Sequence, residues 1–164
     1  MRVLKILLFI IFFSFGVEAV PFEKISFLNL KEDLEEAKKE GKYLFIMFEQ
    51  EECPFCDKMK RVTFQDPRVR EYFTKHFYMV RIDIKGSNPV VYFDGTEMTE
   101  KELAHKFRVR ATPHFVFFDH EGKKILSIPG YIPPEEFLLI GKYVAEGYYK
   151  KMSYFKFKRM IKKD

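Results

Sequence analysis

Between Lys42 and Met59 the chain reads KYLFIMFEQEECPFCDKM, and this stretch limits the fold more than any other. Tyr43 to Glu49 is β-branched, aromatic and apolar enough to predict a buried strand; an acidic loop follows, and Cys53-Pro54-Phe55-Cys56 opens a helix. Both cysteines of the 164-residue chain lie here. A helix start leaves N–H groups unpaired and carries partial positive charge, which favours thiolate over thiol. Cys53 stands where that effect is greatest, and Pro54 suits the first turn because its φ is already near helical. Cys56, one turn further in, is expected to be more shielded. A mixed disulfide formed at Cys53 is then within reach of Cys56, so the spacing lets one thiol attack and its neighbour release the product. Glu49, Glu51 and Glu52 oppose ionisation, while Lys58 and Lys60 partly offset them.

Two blander uses of the pair compete with a redox-active dithiol. A zinc site normally needs four ligands, and the remaining candidates, His76, His105, His114 and His120, form no ligand-like pair. A purely structural disulfide across so short a loop constrains little of the unfolded chain.

The N-terminus reads as a targeting segment. Arg2 and Lys5 precede an apolar run from Ile6 to Val17, and Val17-Glu18-Ala19 presents small residues for cleavage after Ala19. The run is shorter than the ~20 residues that span a bilayer. Export to an oxidising compartment follows, where disulfide exchange is chemically at home. The mature chain, about 145 residues, suits one domain from Val20 to Tyr149 with a tail from Lys150 to Asp164. Twenty phenylalanines predict an aromatic interior.

Along that domain, Phe27 to Glu40 reads as an amphipathic helix stopped by Gly41, with Leu28, Leu30, Leu34 and Ala37 on one face. Asp66-Pro67 starts a helix to His76, Phe77 to Ile84 is a second strand, and Val90 to Phe93 adds a short one after a turn. Thr99 and Glu102 form a capping box for a helix to Phe107. Phe115 to Phe118 is a buried strand, Lys124 to Ile128 its antiparallel partner, and Pro133-Pro134-Glu135 opens a helix to Tyr149. Pro113 stands at a strand entry, where the residues alone favour a trans bond. The order predicts an α/β fold: a central mixed sheet flanked by helices on both faces, its first strands parallel and its last pair antiparallel.

With the CPFC segment, Thr112-Pro113 ahead of Phe115-Val116-Phe117-Phe118 resembles the thioredoxin superfamily over nearly the whole mature chain. The phrase FRVRATPHFVFFDHEGKKI with Gly130-Tyr131 and Gly147-Tyr148 is similar to the secreted thioredoxin-like SoxW group. The resemblance implies a thioredoxin-like fold, Cys53 as nucleophile, Cys56 as resolving thiol, and Pro113 as a cis-proline beside them. It places Thr112, Pro113, Pro54 and Phe55 on the surface that receives a client chain as a short added strand. It implies no cofactor beyond the dithiol itself. Met47 stands where many thioredoxins carry a buried acid, and Glu52 where they carry tryptophan. Glu49 is the candidate replacement for the acid, although a carboxylate at a strand exit is more often solvated. Gly86 to Met98 reads as an insertion near the client groove.

The tail carries seven Lys/Arg and one acid, whereas the body from Val20 to Tyr149 has a net charge of −2. Its aromatic and aliphatic residues interleave with the charges, so it can pack as a helix end or make weak contact with an anionic membrane surface, but a solvated extension is the commoner fate of such a run. Nucleic acid is not an expected partner outside the cytoplasm. The function expected is a secreted, periplasmic thiol-disulfide oxidoreductase that reduces cysteine-containing client proteins and is recharged by a membrane electron donor. Its alternatives are a disulfide-donating oxidant and a non-catalytic binding module with an inert bridge.

Overall fold

The computed structural model describes residues 19–162, so the leader read from Met1 onward, apart from Ala19, lies outside the described residues. The buried run predicts β1 at Tyr43–Glu49, and β1 holds the middle of the sheet. It pairs in parallel with β2 (Phe77–Asp83) and antiparallel with β5 (His114–Phe118), which pairs antiparallel with β6 (Lys124–Pro129). The resulting order, β2-β1-β5-β6, is the mixed sheet expected.

Strand alternation divides the interior into two layers. Phe45, Met47, Phe77, Met79, Phe115 and Phe117 face α2 (Pro54–Lys58), α3 (Pro67–His76) and α5 (Pro134–Ala145). Leu44, Ile46, Phe48, Val80, Ile82, Val116 and Phe118 face α1 (Leu30–Lys39), α4 (Glu100–Lys106) and the hairpin of β3 (Pro89–Val91) with β4 (Glu97–Thr99). Phenylalanines dominate the first layer. Phe137 of α5 sits at its centre, its ring 4.4 Å from Phe73, 5.5 Å from Phe64 and Phe115, and 6.0 Å from Phe45. Thr99 and Glu102 form the expected capping box at α4.

Several boundaries differ from the sequence reading. Leu28 adopts a left-handed φ of 60° and Asn29 caps Glu32, so α1 begins at Leu30 rather than Phe27. The closing helix ends at Ala145 because Gly147, with φ of 75°, turns the chain into a separate 3-10 turn at Tyr148–Lys150. The Gly86 to Met98 segment forms the β3-β4 hairpin, and its Val90 is buried among Leu30 and Phe118, in the layer opposite α2. It therefore packs away from the cysteines instead of shaping a groove beside them.

The tail is the largest departure. Ser153 caps α6 (Tyr154–Ile161), whose Tyr154 and Phe157 join the aromatic layer. Tyr143 donates to Met152 O at 2.8 Å, and the Phe157 ring lies 4.5 Å from Tyr148. Residues three apart share a helix face, and here that spacing lets a strongly basic segment bury two aromatics while Lys156 and Lys162 stay exposed.

Candidate active site

The strand end, the first turn of α2 and the loop before β5 meet at the two cysteines. Cys53 is the N-cap of α2 with Pro54 next in the first turn, and its Sγ accepts the Cys56 N–H at 3.2 Å. Cys53 and Cys56 are joined as a disulfide, with their Cα atoms 5.2 Å apart. Cys53 is 7% exposed and Cys56 1%, the order of shielding expected from their helical positions. Beyond Lys58 the helix widens into a π-type segment, Met59–Thr63, which periodicity gave no reason to expect.

The Thr112-Pro113 bond is cis, in agreement with the family resemblance and against the trans preference of an isolated X-Pro pair. The loop places the Thr112 hydroxyl 3.3 Å from Cys53 Sγ, as donor. Pro113 is buried, whereas Pro54 and Phe55 are exposed on the surface beside the disulfide. The chain after β6 closes the same neighbourhood: Gly130 N–H donates to Pro113 O at 2.7 Å, and Ile132 N–H to Met59 Sδ at 3.3 Å. Lys58 Nζ stands 4.3 Å over the Tyr131 ring, a cation–π contact between α2 and that loop.

Glu49 is not the solvated carboxylate that strand exits usually carry. Its side chain is 17% exposed, 2.6 Å from Lys60 Nζ and 3.1 Å from Arg81, which also pairs with Glu23. Lying two residues past Met47, it follows that residue's side of β1 and lines a cleft of about 260 Å³ with Cys53, Cys56, Asp57, Lys60 and Asp83. Met47 itself is fully buried beside the cysteines, so the interior near Cys56 is apolar and the acid stands at the cleft instead. Lys60, read from the sequence as offsetting the loop acids, does pair with Glu49; Arg81 is the residue sequence reasoning missed. The β1-β2 register, which pairs Met47 with Arg81 and Glu49 with Asp83, was the missing information.

His114 follows the cis-proline but turns to the opposite layer, against Phe48. Its Nε2 lies 2.7 Å from Ser127 Oγ, and its buried Nδ1 has no hydrogen-bond partner. Burial first, and the Lys124 charge second, hold its pKa below the ordinary histidine value. The unfolded chain takes up a proton near pH 6.5 that the folded chain resists, so this contribution to stability is present above that pH and lost as pH falls below it. The urea midpoint should therefore drop between pH 7.5 and pH 5 by more in the wild type than in His114→Gln. Equal drops would show that His114 titrates alike in both states.

Comparison with known proteins places this geometry. Residues 30–145 match the family described as a thioredoxin-like domain. Over 128 residues the chain is 23% identical to the thiol:disulfide interchange protein DsbD of Haemophilus influenzae, covering 74% of this chain but only 20% of that protein. It is 27% identical to the disulfide bond reductase DsbH of Chlamydia pneumoniae over 95 residues, 57% of this chain and 56% of the other. Among solved structures, a thioredoxin-fold protein from Helicobacter pylori superimposes with a TM-score of 0.67 at 28% identity, covering 74% of this chain and 83% of its own. The match spans most of the chain and includes both cysteines and the cis-proline loop: the chain belongs to the thioredoxin-like domain family.

Proposed function

We propose that this protein is a thiol-disulfide oxidoreductase of client proteins outside the cytoplasm, and that it works in the reducing direction. The observation that carries the proposal is the Cys53–Cys56 disulfide at a helix start, with the Thr112 hydroxyl and the Cys56 N–H both aimed at Cys53 Sγ. Those two donors, with the first turn of α2, favour the Cys53 thiolate once the bridge is opened. The names of the Haemophilus and Chlamydia relatives support the reaction class, and the apolar leader supports export.

In the proposed cycle, the Cys53 thiolate attacks one sulfur of a client disulfide, forming a mixed disulfide and expelling the client's other sulfur as a thiolate. The Cys56 thiolate then attacks Cys53 Sγ, releasing the client's second thiolate and closing the Cys53–Cys56 bond. Two electrons pass to the client, whose thiolates take protons from solvent. A membrane dithiol donor reverses the process on the enzyme. Glu49, fixed by Lys60 and Arg81 in the cleft both cysteines line, is the proposed carboxylate for proton movement at Cys56.

The test is the reduction potential, measured by equilibrating the protein with a thiol-disulfide buffer and quantifying free thiols. A value near the about −270 mV of thioredoxin is expected; one near the about −120 mV of a strong oxidant would reverse the direction.

A further inference from the structure

On the α5 face of the sheet, α6 and the outer strand β6 enclose a groove of about 550 Å³, within the ~300–1,000 Å³ typical of ligand pockets. Leu126 and Ile128 of β6, Ile132, Ile140, Tyr154 and Phe155 give it an apolar lining. Its charged groups satisfy one another: Glu136 accepts from Lys158 Nζ and from the Tyr154 hydroxyl, each at 2.6 Å. Burial raises the Glu136 pKa, but these two donors outweigh it and hold the carboxyl below its ordinary range, so it stays ionised and paired. An uncharged occupant therefore meets no unpaired charge on that pair. Phe155 is 78% exposed, an aromatic ring left in water beside this lining.

The loop that lines one end of the groove is also bonded to the redox site. Pro129, Tyr131 and Ile132 belong to its lining, and Gly130 between them is bonded to Pro113 O. Ile132 N–H is bonded to Met59 Sδ, and Tyr131 carries Lys58 of α2 on its ring. The apolar lining thus begins one loop away from the cis-proline and from α2, on the side where a client docked at Cys53 would extend. One wall, α6, lies beyond residue 145, outside the stretch that matches the family. The concavity suits an inserted segment better than a flat lipid surface.

Resting on the oxidoreductase reading above, we propose that this groove binds an apolar segment of the client flanking its cysteine, so that the protein selects disulfides next to large aliphatic or aromatic side chains, as unfolded chains expose them. The test titrates the oxidised full-length protein with two fluorescent, cysteine-free peptides, one rich in leucine and phenylalanine and one of serine and glycine. The apolar peptide should bind at least about tenfold more tightly, and Phe155→Asp should erase most of that margin while Phe155→Leu keeps it. Exchange with glutathione disulfide should be the same in all three proteins, because that substrate is too small and polar to use the groove. Equal binding of both peptides would overturn the proposal. So would a Phe155→Asp effect confined to phosphatidylglycerol vesicles, which would make α6 a membrane contact. Peptide binding that behaves as expected without exchange toward any disulfide would sink the oxidoreductase reading and leave the groove's ligand as proposed.

Discussion

Cys53→Ser is expected to lower the rate of exchange with a protein disulfide on the order of a thousandfold or more, to the level of the solution reaction. The serine hydroxyl keeps the N-cap bond to the Cys56 N–H but stays protonated at neutral pH and cannot accept a sulfur from the client. Cys56→Ser should behave differently. Cys53 can still attack, yet the residue that would release the client has gone, so mixed disulfides should accumulate and be visible as client-sized mass shifts on non-reducing gels. The burial difference between the cysteines orders the two steps, because the outer sulfur is the one a client can reach. Retained exchange in Cys53→Ser, or trapping by Cys53 and Cys56 variants alike, would overturn the assignment of roles.

Phe137→Ala is expected to cost about 3–5 kcal/mol of unfolding free energy, a large share of the stability of a domain this size. The ring is fully buried and touches Phe45, Phe64, Phe73, Phe115 and Phe117, contributed by β1, α3, β5 and the segment after α2. A cavity there is bounded by the sheet behind and by rings on either side, so little can move in to fill it. Phe155→Ala, at an exposed ring, should change stability by under about 0.5 kcal/mol. The chain has no tryptophan, so urea unfolding is best followed by far-ultraviolet circular dichroism. A Phe137 cost near that of Phe155 would mean that the aromatic layer repacks freely.

What the sequence made legible were the features whose signals are local. The CPFC segment, the Thr99–Glu102 cap, Asp66-Pro67 and the hydrophobic strands each carry their cause within a few residues, and each stands where that cause puts it. The features that escaped depend on partners distant along the chain. Glu49 reads as a solvated carboxylate until the parallel pairing with β2 brings Arg81 beside it. The tail reads as a solvated extension because its charges dominate its composition, whereas its fate is decided by two aromatics finding Tyr143 and Tyr148. Leu28 is a local exception, since its left-handed backbone is unusual for a leucine and helix periodicity ran straight through it.

The two borders of the sheet are treated differently, and this sets how copies of the chain can associate. Along β2 the N-terminal segment occupies the outer side: Lys24 N–H donates to Met79 O at 2.8 Å and Met79 N–H to Phe22 O at 2.7 Å, with Phe22 buried in the core. β6 has no neighbouring strand among the described residues, only the polar and ring-locked ends Lys124 and Pro129. A sheet available on one border has a valence of one. Backbone pairing between two copies across β6 would close that border of the four-stranded sheet in a two-fold pair, leaving that sheet no second uncovered border among the described residues. Growth of this sheet along β2 would require first peeling residues 22–24 from Met79 and exposing the Phe22 ring, so the segment that completes the core also guards that border.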